Sequence, residues 1–237
     1  MKLSCLLTQW KRNHLKDQLK SVYSQTLQPD YVIVFQNENH ADISDLKKEY
    51  NFIHVKSDYN TKHFGRFTYC INLPVEHFII MDDDILPGPK CFENYINQLV
   101  KLNSIIGGNG RFADVNQNGT DRNGMPYPRL HDVGVRKLAE CDFVGHLWCF
   151  KKKWLYNMFS IEPYTLETSE DMHFSFSNKV RENIKCYVAE QLTMEESCDL
   201  KMNAWSSDQH SSCKKTSRSL RQDVVKHFIK NYDLKHL

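Results

Sequence analysis

The sequence contains no C-x-x-C pair, no G-x-x-x-x-G-K-[ST] loop and no G-x-G-x-x-G fingerprint. These absences argue against a zinc or thioredoxin-type site, a P-loop nucleotidase and a dinucleotide-binding module. No window approaches the ~18 consecutive apolar residues that a membrane-spanning helix requires. The net charge is only +2, which points to neither a nucleic-acid binder nor an acidic tail. No internal repeat is present, and low complexity is confined to the polar patch "WSSDQHSSCKKTSRS". A secretory leader is not expected: "MKLSCLLTQW" has one lysine, and Ser4, Thr8 and Gln9 interrupt its apolar run. The expectation is a soluble, cytoplasmic chain whose eight cysteines (5, 70, 91, 141, 149, 186, 198 and 213) are reduced and mostly buried. The sequon at Asn118 is read as a chance match in a loop.

What is present is an alternation of strand and helix patterns. "KLSCLLT" (2–8), "YVIVFQ" (31–36), "FIHVK" (52–56) and "HFIIM" (77–81) read as strands, the second as a continuous apolar run covered on both faces. Between them, residues 11–26 carry Leu15, Leu19, Val22 and Tyr23 at helical spacing. A short helix runs to Tyr50 from a cap at Asp42 or Ser44, and another lies near 66–73. Residues 88–103 form a helix with Pro89 near its first turn. This pattern predicts a doubly wound parallel sheet, in which ligands bind at the carboxyl ends of strands. Further on, 104–111, 141–150 and 185–190 read as strands. "KKKWLYNMF", 168–183 (capped by Thr168 or Ser169) and a stretch through Leu220, Val224, Phe228 and Tyr232 read as helices. Residues 112–138, rich in Asn, Gly and Pro, read as a long functional loop.

"FIIMDDDILPGP" (78–89) holds the main chemical signal. Asp82, Asp83 and Asp84 stand side by side where a buried strand ends, and like charges repel more strongly as burial increases. A solvated turn is the bland reading, since Asp favours turns. A hard divalent cation is the sharper one, because Mg²⁺ or Mn²⁺ takes oxygen ligands and completes its shell from substrate phosphates.

Four segments in order resemble the GT-A fold nucleotide-sugar glycosyltransferases. "LLTQWKRNHLKDQLKSVYSQTLQPDYVIVFQNE" is similar to that family's opening strand, helix and strand, and "IIMDDD" to its D-x-D motif. "CDFVGHLWCFKKKWL" resembles its acceptor-side strand and helix, and "TSEDMHFSF" its E-D motif at a helix start. The resemblance covers roughly residues 2–190 and implies one GT-A domain with a mixed, mostly parallel, Rossmann-like sheet. It would divide into a nucleotide half (1–103), an acceptor half (104–190) and a C-terminal extension (191–237). It implies a metal-dependent transfer of a sugar from a nucleotide sugar, UDP-sugar favoured, to a hydroxyl of a glycan or related acceptor, with Mn²⁺ or Mg²⁺ as cofactor.

Onto this chain the resemblance carries Asp84 as metal ligand with Asp82 beside it, touching ribose or acting through water. Asp83 supports donor sugar or metal shell. Asp171 is the general base, with Glu170 second; both also suit a helix N-terminus, whose dipole keeps them ionised. Thr8, Gln9, Trp10, Asn37 and Glu38 are placed at the nucleotide, where "QNEN" departs from the family's usual acidic pair. Arg66 reads either as a base or phosphate contact or as an exposed arginine on a short helix. Asp142 and His146, on one alternating strand face, and Trp148 read as an acceptor surface, with Trp148 as a core residue the competing reading. His210 reads as a late metal ligand or a solvated loop residue. Two other functions stay open: a nucleotidyltransferase, although the basic "TQWKRNHLK" lacks the expected glycines, and a sugar-nucleotide-binding module without catalysis.

Overall fold

The computed structural model describes residues 1–114, 137–201, 204–210 and 218–234. Its strands are β1 (Leu3–Gln9), β2 (Tyr31–Asn37), β3 (Ile53–Ser57), β4 (His77–Met81), β5 (Ile105–Arg111), β6 (Ala139–Cys141), β7 (Phe143–Lys151) and β8 (Cys186–Val188). They form one sheet in the order β3-β2-β1-β4-β7-β5-β8-β6. β1 pairs in parallel with both β2 and β4, β2 with β3, and β5 with β8. β7 runs antiparallel between β4 and β5, and the short edge strand β6 runs antiparallel to β8. The sheet is therefore mixed and mostly parallel. From β1 the chain winds outward to β2 and β3, then returns to place β4 on the other side. That reversal opens a crevice at the carboxyl ends of β1 and β4.

The helices are α1 (Leu15–Tyr23), α2 (Ser44–Glu49), α3 (Gly65–Cys70), α4 (Cys91–Leu102), α5 (Trp154–Phe159), α6 (Glu170–Glu182) and α7 (Arg218–Tyr232). α1 starts four residues later than its periodicity suggests. Gln9 donates from Nε2 to the carbonyls of Trp10 (2.8 Å) and Arg12 (3.4 Å), which holds residues 10–14 as a loop. Leu15, Leu19 and Val22 are buried as expected, but Tyr23 lies exposed off that face. The expected strand 141–150 is divided: β6 ends at Cys141 and β7 begins at Phe143. The 112–138 loop falls, over 115–136, outside the described residues, as do Asn118 and Cys213. The other seven cysteines are buried, with no disulfide among the described residues.

Two packings position the site. Phe67 of α3, Phe150 of β7 and Phe174 of α6 meet with ring centroids 4.9–6.1 Å apart, tying both helices to the sheet. Such aromatic pairs add about 0.5–1.5 kcal/mol each beyond the area they bury. A second cluster of Phe143, Met172, Phe176, Val224, Val225 and Phe228 seats α7 on α6. Beyond β8 the chain folds back over the Pro87-Gly88-Pro89 turn. Gly88 donates to Ser197 O (2.7 Å) and Lys90 to Glu195 O (2.7 Å). A Cβ at Gly88 would lie 2.3 Å from Met194 O, so only glycine admits this approach. Among the described residues no helix is long and apolar enough to cross a membrane.

Candidate active site

Asp82, Asp83 and Asp84 follow directly on β4, at the crevice. The backbone N–H of Asp82 donates to His146 O (2.9 Å), and Gln18 Nε2 on α1 donates to the carbonyls of Asp82 and Ile85 (2.8 Å each). The backbone of the triplet is thus tied from two sides, and its carboxylates are free to turn toward cations.

Two guanidinium groups supply those cations. Arg66 on α3 is 3% exposed, and its guanidinium lies 4.5 Å from the Trp148 ring centre. It donates from Nη1 to Asp82 Oδ1 and from Nη2 to Glu170 Oε1 (2.8 Å), joining the end of β4 to the start of α6. Arg12, in the loop after β1, donates from Nη1 to Asp83 Oδ1 and lies 3.3 Å from Asp84 Oδ2. Its other edge forks onto Asp208, Nε to Oδ2 at 2.8 Å and Nη2 to Oδ1 at 2.9 Å. The turn carrying Asp208 rests on the same loop. Trp205 stacks on His14 with ring centres 4.0 Å apart, and His210 meets Trp10 edge-on at 6.2 Å.

The triplet is electrostatically uneven. Burial pushes Asp82 up, but Arg66 above all, with His146 and His63, overcomes it and holds that carboxyl below its usual range. Burial raises Asp83 despite Arg12. Asp84 is pushed up to about 8 by burial and by Asp82, Asp83 and Asp199, which together outweigh Arg12. Asp208, out in solvent, is held down to about 2, chiefly by its hydrogen bonds from Arg12.

At α6, Asp171 is pushed up to about 6 by burial and by neighbouring Glu170, against the pull of Arg221 from α7 and the Met172 N–H. This corrects the expectation that the helix dipole keeps it a weak, always-ionised base: desolvation and a like charge outweigh the dipole. Glu170 is committed to Arg66. Thr168 and Ser169 make no side-chain cap, and Ser169 stands at φ 65°. Positive φ also marks Glu38 (67°), Lys62 (54°) and His146 (66°), so backbone strain gathers around the crevice.

The other nominated residues sort by what their side chains touch. Trp10 donates from Nε1 to Glu38 Oε2 (2.9 Å), and His40 sits 3.1 Å from the same oxygen. Thr8 Oγ1 is buried without a partner. Asn37, 5% exposed, spends its amide on the 60–62 turn: it accepts from Thr61 N–H (2.9 Å) and Thr61 Oγ1 (3.0 Å) and donates to Asn60 Oδ1 and Lys62 O. Asn37 and Gln9 therefore brace the loops around the crevice. Arg66 is not an exposed arginine. Trp148, 1% exposed beneath Arg66 and donating to Val144 O (2.8 Å), is core and offers no sugar platform. Asp142 and His146 do not share a regular strand face, because a register shift opposite Gly107–Asn109 and the left-handed His146 break the alternation between them. Asp142 accepts from Ala113 N–H (2.9 Å), whereas His146 Nε2 lies 3.4 Å from Asn109 Nδ2.

Sequence reasoning missed Arg12, Asp208 and Gln18. Gln18 left a signal, a polar residue within the buried stripe of α1, and Arg12 left a weaker one in the basic run "WKRNHLK". Asp208, 196 residues from Arg12, left none.

The sheet order and the crevice define a GT-A-like, Rossmann-related fold. Solved structures of S. aureus TarS share it. The TarS 1–349 complex with UDP aligns at TM-score 0.58 and 14% identity, covering 100% of this chain and 76% of that one. The complex with UDP-GlcNAc aligns at 0.57 and 13%, covering 99% and 74%. A longer TarS chain aligns at 0.55 and 14% over 80% of this chain, which spans only 37% of its length. No family model and no curated protein matches the sequence.

Proposed function

We propose that this chain is a metal-dependent, inverting glycosyltransferase moving a sugar from a UDP-sugar to a hydroxyl of a glycan or related acceptor. The observation that carries the reading is the chain of contacts Asp82–Arg66–Glu170, which sets the carboxylates after β4 beside the helix start bearing Asp171. A Cβ built on Gly145 would lie 3.9 Å from Asp171 Oδ2, so this carboxylate faces β7 one residue from His146, which influences Asp82. The neighbouring fold's complexes with UDP and UDP-GlcNAc support the donor class.

The residues fit a divalent ion that completes its shell from diphosphate and water. Asp84 Oδ1 is buried without a hydrogen-bond partner, and no group of three or more His, Cys, Asp or Glu side chains forms a ready cage among the described residues. Asp84 would be the ligand, with Asp82 fixed beside it by Arg66. His210, whose Nδ1 is buried without a partner and whose N–H meets Asp208, would be a further donor. A divalent ion there supplies charge neutralisation to the diphosphate leaving group. Asp171 takes the proton of the attacking hydroxyl. A base that titrates near 6 is ionised at neutral pH yet stronger than an ordinary carboxylate, which suits that task. Glu170, bound to Arg66, ties the helix start to the end of β4. Trp10, Thr8 and Glu38 line the nucleotide end.

A thermal-shift panel of nucleotide sugars with and without Mn²⁺ tests the donor, since a ligand of the native state raises stability by mass action. The expected result is a Mn²⁺-dependent shift with UDP and UDP-sugars that Asp84→Ala abolishes. Binding with unchanged metal dependence in that variant removes Asp84 from its role. Binding without any transfer makes the chain a sugar-nucleotide-binding module. Retention at the product's anomeric proton by NMR removes the need for Asp171 as base.

A further inference from the structure

We infer that Arg12 is a resident counter-cation that occupies the Asp83–Asp84 pair and withdraws onto Asp208 to admit a divalent ion. The inference rests on the metal reading of the aspartate triplet and adds to it a residue that controls entry.

The geometry divides the guanidinium in two. One tip, Nη1, serves the triplet, reaching Asp83 Oδ1 and lying 3.3 Å from Asp84 Oδ2. The opposite edge, Nε with Nη2, holds Asp208 in a two-pronged fork at 2.8 and 2.9 Å. Fork–carboxylate pairs of this kind are the strong, oriented ones, whereas a single tip shared between two oxygens is weaker and less directional. A divalent ion on Asp84 and a guanidinium tip against the same carboxylate repel each other, so both cannot be held there at full strength. The tip can leave while the fork stays. Asp84 also keeps its second oxygen, Oδ1, buried without a hydrogen bond, so Arg12 satisfies only part of the demand that this carboxylate makes.

Asp208 is itself anchored for the task. Its Oδ1 also accepts the His210 N–H (2.8 Å), and its turn is seated by the Trp205–His14 stack against the loop that carries Arg12. The guanidinium therefore has a fixed alternative partner. In its absence, the carboxylates that Arg12 meets among the described residues would be Asp83 and Asp84, which the ion needs. Arg66 has no such freedom, because both its terminal nitrogens are committed to carboxylates while its guanidinium rests over Trp148.

The test is Mn²⁺ affinity of the full chain without nucleotide, read by electron paramagnetic resonance of free Mn²⁺, for wild type, Arg12→Met, Asp208→Asn and the double variant. Arg12→Met should tighten Mn²⁺ by about tenfold and Asp208→Asn should weaken it by about fivefold, within the usual range of site-to-site coupling. The double variant decides between a specific exchange and a general field. If Asp208 acts through Arg12, adding Asp208→Asn to Arg12→Met changes affinity less than about twofold; a field effect gives the same factor in both backgrounds. An unchanged factor, or no gain in Arg12→Met, overturns the inference while leaving the metal reading intact. Mn²⁺ binding absent from all four proteins overturns both. Should Arg12→Met fail to fold, Arg12→Gln, which removes the charge and keeps a polar side chain, carries the same cycle with the same expected loss of the Asp208 effect.

Discussion

Arg66 and Arg12 both neutralise carboxylates of one triplet, yet they belong to different physical regimes. Arg66 is sealed between α3, β7 and α6, with an aromatic ring below it and a carboxylate at each terminal nitrogen. Arg12 lies at the crevice mouth, shared between the triplet and an Asp208 that remains in water's reach. A buried ion network is rigid because breaking it strands charge in a low dielectric, while a network at a mouth can exchange partners cheaply. The same triplet is thus tied down at Asp82 and left adjustable at Asp83 and Asp84. That division suits a site that must hold one carboxylate still while charge enters and leaves beside it.

The largest effect expected is at the sealed network. Arg66→Met orphans Asp82 and Glu170 together and should cost about 3–5 kcal/mol of stability, read from urea midpoints. A loss below 1 kcal/mol would mean the two carboxylates find water or protons, and the region is not sealed.

Next comes Asp171→Asn, expected to lower turnover by about 10²-fold or more while donor affinity hardly changes. Near-normal turnover would take the base role away from this residue. In wild type the same group should impose an acid limb on the pH–rate profile with its midpoint at about 6. Turnover falls roughly tenfold per unit below it, because only the ionised form accepts a proton.

A smaller effect of opposite sign follows from linkage. The folded-state value of Asp171 lies above the unfolded one, so the native state binds the extra proton between the two. Stability then falls as pH rises from about 4 to about 6 and stays lowered at pH 7. Asp171→Asn removes this penalty and should stabilise the chain at pH 7 by about 1–2 kcal/mol, a shift of a few degrees in Tm. No gain, with turnover lost, would show that the carboxylate is better solvated than its surroundings indicate.

The smallest effect is at the mouth. Arg12→Met should cost less than Arg66→Met, because Asp208, the partner its fork holds, is the most exposed carboxylate of either network. A loss matching that of Arg66→Met would collapse the distinction between the two regions.

The order of strands and helices was legible almost throughout, since apolar runs and helical spacing depend on neighbours a few residues apart. Exceptions arose where long-range contacts intervened. The braces from Gln9 shortened α1, and β6 formed as an edge strand beside β8. Within the site, Asp82–Asp84 and Glu170–Asp171 stood out because each group is contiguous. The cover over Trp148, the braces of Asn37 and the break between Asp142 and His146 were not legible, because residue type and strand alternation do not report which side chains will cover them. His146 shows the cause most plainly: a left-handed residue in mid-strand, enforced by its surroundings, breaks the period-two pattern that would have paired it with Asp142.

By itself the sequence determined the alternating α/β plan, the end of the strand at which carboxylates accumulate and the start of the helix that carries a second pair. These follow from local periodicity and from residues adjacent in the chain. Tertiary structure alone decided which cations meet those carboxylates and how strongly each is held. Arg66 reaches Glu170 across 104 positions and Arg12 reaches Asp208 across 196, and burial around them pushes Asp171 up to about 6. Charge interaction and desolvation depend on distance in space and on what excludes water, and neither quantity is written in the order of residues.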